Sequence, residues 1–413
     1  MTKRKLSKII IIILFFSIVL FILLMESNEE SIDEEKDIKE VEVINLIEEG
    51  YVAEKEEIVE KKPIEKKSYN DAIPYNKKIE GQIVDCIYKR DGIPSPKGIA
   101  FSPDGEEFWV VSLMNNNSGV LIFETETGKH LKDIALPQGG GVEIIFNKDG
   151  SKAYVSQMET ARVFEIDGKT KSILRTFETK STWTKVIALS HDEKTLYASN
   201  WVGNNISVID LTSGLLIHNL KSITTPRGIY PTKDGQYIYI AGFEHGEIQK
   251  INLETKESKI IYTSNGAMRH IVADEEKGLL YFSDMANKAI YKLEMVNDSV
   301  SKFAQTEYNP NTIELTEDKN VLIVSNRGIN NSQSYYIPGP EWGTILFFDT
   351  SNGEMLDAII GGNQPTGLAV NKDKFIYSNF LDGNLVLCNL PSYDEFLLGN
   401  GGSSDYYKRF VRK

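Results

Sequence analysis

The chain has 413 residues, of which 41% are hydrophobic, and this is enough apolar material for one large β domain or two ordinary domains. Asp and Glu outnumber Lys and Arg by 59 to 46, and the net charge of −13 argues against general binding of nucleic acid. The two cysteines are too few for a disulfide-dense scaffold or a zinc ribbon, and they form no CxxC redox motif.

The amino terminus has the pattern of a membrane anchor. Residues 1–8 are basic, and residues 9–25 form an apolar run whose only polar member is Ser17. A cationic flank before the run and acidic residues after it predict a transmembrane signal anchor, with residues 1–8 in the cytoplasm and the rest on the extracytoplasmic side, periplasmic or at the cell surface. A cleaved signal peptide is the alternative.

Residues 26–70 contain sixteen acidic residues and seven lysines, a net charge of −9, with very few aromatic side chains. A segment of this composition cannot bury enough apolar surface to fold by itself. It is predicted to be an acidic, flexible tether.

A repeat of about 42 residues fills the rest of the chain. Each unit contains an apolar strand, an Asp-Gly-like turn, a second strand that commonly ends near a Ser, a third strand and a weaker fourth strand. The first strands of successive units start at Gly98, Val142, Val186, Gly228, His270, Thr312 and Gly367. This period predicts an all-β fold, a seven-bladed propeller of four-stranded blades over residues 71–398, with residues 399–413 as a tail.

Two of the units carry a family resemblance. LYASNWVGNNISVIDLTSG, from Leu196, and FIYSNFLDGNLVLCNL, from Phe375, resemble the YVTN-type β-propeller repeat family, which is also described as surface-layer-like. That family is similar in fold to bacterial 6-phosphogluconolactonase and to the large subunit of quinoprotein amine dehydrogenases. The resemblance covers residues 96–390 and implies the fold, but it says little about activity.

The two cysteines fall in strands that a closed ring would bring together. Residues 80–88 precede the first unit and are predicted to supply the missing fourth strand of the last blade, next to residues 384–390. Cys86 and Cys388 would then lie on neighbouring strands, where a disulfide could close the ring. The alternative is two ordinary buried thiols.

Side chains at equivalent positions of a propeller repeat meet at the same face. The position before the first strand is occupied by Lys97, Gly141, Lys185, Arg227, Arg269, Asn311 and Thr366. Four of these seven are cationic, which predicts a mouth of the central channel that attracts phosphate, carboxylate, a polyanionic glycan or an acidic protein partner. The alternative is ordinary salt bridges with nearby carboxylates: Glu143, Glu244, Asp284 and Glu314.

The position after the second strand is mostly large and apolar: Met114, Met158, Trp201, Phe243, Met285, Arg327 and Phe380. These side chains are predicted to be wedges between blades, with an aromatic ligand platform as the alternative. The sixth unit also contains an insertion between Asn326 and Gly343. Its side chains resemble a binding surface, although a loop that merely covers the mouth is the alternative.

The favoured function is that of a membrane-tethered binding scaffold, because the sequence contains no hydrolase, metalloprotease or nucleotide-binding motif. No cofactor, metal ion or catalytic residue is assigned. The alternative is a hydrolase or lyase of lactonase type, with Arg227, Arg269 and His270 holding a small anionic substrate. The ligand-binding set is predicted to be Lys97, Lys185, Arg227, Arg269, His270, Arg327, Tyr335, Tyr336 and Trp342.

Overall fold

The computed structural model describes residues 73–74, 83–113 and 119–399. The predicted cytoplasmic flank (1–8), membrane anchor (9–25) and tether (26–70) lie outside these residues, as does the tail from residue 400 onward. Among the described residues, no helix combines the length and the apolar character that a membrane crossing requires.

The described chain forms seven antiparallel sheets, and this confirms the predicted seven-bladed propeller. Strands β1 (Ile73–Pro74) and β2 (Cys86–Asp91) precede the first blade. Blade 1 contains β3 (Pro96–Phe101), β4 (Glu107–Ser112), β5 (Val120–Glu124) and β6 (His130–Ile134). Blade 2 contains β7 (Glu143–Phe146), β8 (Lys152–Gln157), β9 (Arg162–Asp167) and β10 (Ile173–Glu178). Blade 3 contains β11 (Thr184–Leu189), β12 (Thr195–Asn200), β13 (Asn205–Asp210) and β14 (Leu215–Lys221).

The remaining blades repeat this order. Blade 4 contains β15 (Pro226–Pro231), β16 (Tyr237–Gly242), β17 (Glu247–Asn252) and β18 (Ser258–Thr263). Blade 5 contains β19 (Met268–Asp274), β20 (Leu279–Asp284), β21 (Ala289–Glu294) and β22 (Ser299–Gln305). Blade 6 contains β23 (Pro310–Leu315), β24 (Val321–Asn326), β25 (Thr344–Asp349) and β26 (Met355–Ile360). Blade 7 begins with β27 (Pro365–Asn371), β28 (Lys374–Asn379) and β29 (Asn384–Asn389), and helix α1 (Tyr393–Leu398) follows it.

Blade 7 is completed by the amino-terminal strand. Strand β2 pairs with β29, and the two-residue β1 pairs with β2, so the last sheet contains strands from both ends of the propeller. The closing strand was expected over residues 80–88 but starts only at Cys86. Its register places Cys86 opposite Cys388, and the two residues form a disulfide.

Apolar clusters lie between neighbouring blades and form the core. Trp109 of blade 1 packs with Val155 and Phe164 of blade 2, and the other blade interfaces contain similar clusters. Phe396 of helix α1 joins the cluster between blades 6 and 7. Burial of each large apolar side chain contributes roughly 1.5–3 kcal/mol. The central strands read as runs of β-branched and aromatic residues because both of their faces are covered.

Serines near the ends of the second strands connect several blades to the next one. The Ser156 hydroxyl donates to the carbonyl oxygen of Lys185 (2.5 Å) and the Ser199 hydroxyl to that of Arg227 (2.9 Å). Ser378 donates in the same way to Lys97 (3.2 Å), across the junction where the ring closes. These hydrogen bonds fix the backbone at Lys185, Arg227 and Lys97, where the predicted site lies. Each of these cations is the second residue of its first strand and not, as the sequence predicted, the residue before it.

Candidate functional site

The strand register corrects one position of the predicted cation ring. Ile99 pairs with Val110 in blade 1, and the equivalent pair in blade 2 is Ile144 with Val155. The residue equivalent to Lys97 is therefore Val142 and not Gly141. The sequence alignment missed this shift because the loop before β7 contains three consecutive glycines, which accommodate one extra residue without disturbing the strands.

Cations and aromatic rings alternate along the rim of the channel mouth in blades 3 to 5. The rim is the set of residues at the two repeat positions described above, in the first strand and after the second strand of each blade. The Lys185 ammonium lies 4.3 Å from the Trp201 ring centroid, and the Arg227 guanidinium carbon lies 5.5 Å from the same centroid. The Arg269 guanidinium carbon is 5.9 Å from the ring of Phe243, which in turn packs against Trp201 with centroids 4.8 Å apart. The two sets of rim positions that the sequence aligned separately are thus in contact.

A second group of rim residues spans blades 6, 7 and 1. The Lys97 ammonium lies 4.4 Å from the Phe380 centroid and donates to the Tyr335 hydroxyl at 3.2 Å. The Arg327 guanidinium carbon lies 4.2 Å from the Tyr335 centroid, and Arg327 Nη2 donates to Gln364 Oε1 at 2.7 Å. Cation–π contacts of this kind are strongest when the groups are removed from water, as these buried side chains are.

The sixth-blade insertion lies against this second group. Tyr335 is buried, and its carbonyl oxygen accepts from Gln364 Nε2 at 2.8 Å. Tyr336 packs on both Tyr335 and Phe380 but remains partly exposed, and Trp342 is also partly exposed. Of the three aromatic residues predicted to present a contact surface, Tyr335 therefore packs inward, while Tyr336 and Trp342 retain accessible surface.

Two carboxylates that the sequence suggested only as salt-bridge partners lie on innermost strands. Glu143 occupies the position of Gly98 in its blade, and its Oε1 would be only 2.6 Å from a Cβ added to that glycine. Burial raises the pKa of Glu143 to about 7, although Arg227, a hydrogen bond from the Ile144 N–H, and then Lys97 and Arg269 act in the opposite direction. The Glu143 carboxylate therefore interacts electrostatically with cations of the rim.

Glu314 and His270 also belong to innermost strands, in blades 6 and 5. Burial, reinforced by the charge of Glu143, raises the pKa of Glu314 to about 8. Burial lowers the pKa of His270 to about 4, and the charges of Arg227 and Arg269 act in the same direction. The His270 Nδ1 accepts a hydrogen bond from the Ile313 N–H at 3.4 Å, so His270 is a neutral imidazole at pH 7.

Two other carboxylates proposed as partners of the cations are engaged elsewhere. Asp284 accepts hydrogen bonds from the Ser264 hydroxyl (2.5 Å) and the Ala267 N–H (2.9 Å), which fixes the local turn. Glu244 lies on an exposed loop, 4.0 Å from His245 Nε2. His245 is therefore on this exposed loop, whereas His270 belongs to an innermost strand.

The arrangement has groups that can attract an anion and a carboxylate that can exchange a proton. Within the described ranges, the rim gathers five cationic side chains: Lys97, Lys185, Arg227, Arg269 and Arg327. On innermost strand β7, burial raises the pKa of Glu143 to about 7, a value suited to a general base or acid. In the described part of the chain, no group of three or more His, Cys, Asp or Glu residues could hold a metal ion.

A family model described as "Lactonase, 7-bladed beta-propeller" matches residues 40–273, more than half of the chain. The chain belongs to this lactonase family of seven-bladed propellers. The resemblance drawn from the repeat motif is thereby confirmed at the level of the fold family.

Two known proteins are similar in sequence to parts of this lactonase-family chain. Antigen Lp49 of Leptospira interrogans is 32% identical over 282 residues, which are 66% of the chain and 61% of the antigen. The uncharacterized protein YncE of Salmonella typhimurium is 30% identical over 137 residues, which are 30% of the chain and 37% of YncE. The aligned parts thus span less than two thirds of the length of either relative.

A solved structure titled Kuenenia stuttgartiensis hydrazine synthase has the same fold. It superposes with a TM-score of 0.61 at 16% identity, covering 76% of this chain and 99% of the matched chain. Identity at this level shows a common propeller architecture and carries no statement about chemistry.

Proposed function

We propose that this lactonase-family propeller is a binding scaffold that captures an anionic ligand through the mouth of its channel. The ligand is a phosphate- or carboxylate-bearing molecule, a polyanionic glycan or an acidic protein surface. The observation that supports this is the gathering of Lys97, Lys185, Arg227, Arg269 and Arg327 on one rim of a chain whose net charge is −13. Such a concentration of positive charge draws anions from solution and strengthens their binding where water is excluded.

The test compares a rim cation with a peripheral one. Arg227→Gln removes a charge from the rim, whereas Arg162→Gln removes the same charge from blade 2, where Arg162 pairs with Glu178. Binding of a sulfated glycan and of inorganic phosphate to the full chain is measured by calorimetry at two salt concentrations. We expect Arg227→Gln to weaken binding about 10-fold and to reduce its salt dependence, because a charged hydrogen bond contributes roughly 1.5–3 kcal/mol. Equal affinities of the two variants would contradict the proposal.

The proposal includes the location of the protein in the cell. Residues 9–25 anchor the protein in a membrane, residues 26–70 act as a tether, and the propeller stands on the extracytoplasmic side. The apolar run and its basic flank support this placement. Cell fractionation of the full chain and of a variant lacking residues 9–25, followed by protease treatment of intact cells, tests it. Full chain recovered in the soluble fraction would contradict the anchor.

A second candidate function is hydrolysis or a lyase reaction on a small anionic lactone. Glu143, with a pKa near 7, lies within the electrostatic reach of Arg227 and Arg269 and has the properties of a general base, while those arginines would hold the substrate. A panel of lactones, assayed with the wild type and with Glu143→Gln, tests this. Turnover that loses its pH dependence in Glu143→Gln supports the enzyme, and absence of turnover across the panel favours the scaffold.

A further inference from the structure

A buried donor on the rim, the indole N–H of Trp201, has no acceptor among the residues that the structure describes. Trp201 is 1% exposed, and its indole Nε1 has no hydrogen-bond partner in the described part of the chain. Buried polar groups nearly always find partners, because leaving one unsatisfied costs its full desolvation. A phenylalanine would supply the same aromatic face without this cost, so the indole N–H calls for an explanation.

The surroundings of the indole have the character of an anion site. The Lys185 ammonium and the Arg227 guanidinium carbon lie over the ring that carries this donor, 4.3 and 5.5 Å from its centroid, so two positive charges are next to the indole. All three groups donate hydrogen bonds, and neither cation can accept one. The complementary partner is an atom that accepts hydrogen bonds and carries negative charge.

Hydrogen bonds hold the main chain from which the three side chains project. The Ser156 hydroxyl donates to the Lys185 carbonyl oxygen at 2.5 Å. The Trp201 backbone N–H donates to the Trp183 carbonyl oxygen at 2.8 Å. The Ser199 hydroxyl donates to the carbonyl oxygen of Arg227 at 2.9 Å and so ties the strand before Trp201 to the next blade. A site assembled in advance does not spend binding energy on ordering its own side chains.

We propose that Lys185, Trp201 and Arg227 form an oxyanion subsite within the mouth. The Trp201 Nε1–H donates to one oxygen of a compact oxyanion, a phosphate, sulfate or carboxylate group, while Lys185 and Arg227 balance its charge. This inference rests on the proposed binding function and narrows it to one place and one chemical class. It also assigns a recognition role to a residue whose apolar character alone suggests a packing wedge.

The experiment removes the donor and keeps an aromatic ring. Trp201→Phe is compared with Trp183→Phe, a matched control because the Trp183 ring also contacts Lys185, at 5.3 Å, but is partly exposed. Inorganic phosphate, sulfate and acetate are titrated into the full chain in detergent, with binding followed by calorimetry. We expect Trp201→Phe to weaken binding about 10-fold or more, since hydrogen bonds to charged groups are the strong ones, and Trp183→Phe to leave it nearly unchanged.

A second measurement follows the anion directly in the wild-type protein. The chain has four tryptophans, so its indole N–H groups give few nuclear magnetic resonance signals, and the Trp201 signal is assigned by eliminating the others with Phe variants. A shift of that signal on addition of any of the three anions supports the subsite. Anion binding that leaves the signal and the Trp201→Phe affinity unchanged overturns the subsite alone. If neither the three anions nor a sulfated glycan binds the wild type, the proposed function itself fails.

Discussion

The disulfide between Cys86 and Cys388 gives the sharpest test of how the ring is closed. It joins residues 302 positions apart, so it encloses nearly the whole propeller. In the chain-entropy treatment, cross-linking a loop of this length removes about 5–6 kcal/mol of freedom from the unfolded chain, although removal of native disulfides typically costs 2–5 kcal/mol. We therefore expect the double variant Cys86→Ala, Cys388→Ala to lose about 3–5 kcal/mol of unfolding free energy.

Equilibrium unfolding in urea measures this loss. Circular dichroism and tryptophan fluorescence should give coincident transitions, because a free energy is defined only if the ring unfolds in one step. The matched control is the wild type with its disulfide reduced, which retains both sulfur atoms and lacks only the bond. If the reduced wild type and the double variant unfold at the same urea concentration as the oxidised protein, then the β2–β29 ladder closes the ring by itself and the entropic reasoning is refuted.

The remaining predictions concern the channel and its loop. Because the pKa of Glu314 is raised to about 8, the native state keeps a proton that the unfolded chain loses, and the free energy of unfolding falls as pH rises from about 5 to 8. Relative to the wild type, Glu314→Gln should gain on the order of 2 kcal/mol of unfolding free energy at pH 8.5 and nothing at pH 4, as measured by urea titration. Tyr335→Phe removes the hydrogen bond from Lys97 and should speed proteolysis within residues 327–343, read by mass spectrometry. Gly98→Ala places a methyl group against the Glu143 carboxylate and should lower the thermal midpoint by several degrees in calorimetry.

The fold was predictable because each repeat contains local sequence signals for its strands and turns. Turn residues and runs of β-branched and aromatic residues recur with one period, and each unit needs its neighbours to cover its faces. Closure by the amino-terminal strand was also predictable, because the last unit lacked a fourth strand. The start of that strand was placed several residues too early, since edge pairing is decided by register with β29 and not by the composition of residues 80–88.

The site was predictable only in part. Lys185, Arg227 and Arg269 occupy equivalent repeat positions, so the sequence could indicate that they share one rim. Gly141 and Val142 were assigned to the positions that Val142 and Glu143 occupy, because a run of glycines hid a one-residue shift that only strand pairing reveals. The position of Tyr335 could not be derived either: its contact with Lys97 joins residues 238 positions apart, and no repeat relates an insertion to the strands it covers.

The repeat motif, which made the fold predictable, also positions the backbone of the site, whose side chains were predictable only in part. The serines of the second strands are a signature of the fold, yet three of them hold the backbone carbonyls of Lys97, Lys185 and Arg227 in place. The repeat thus fixes the backbone from which these three cations project, whichever side chain occupies the position. Asn311 is held by the same kind of hydrogen bond, from Ser283, and carries no charge. The chemistry of the rim is therefore set by side chains that the fold does not constrain, which is why a motif that identifies the propeller leaves its ligand open.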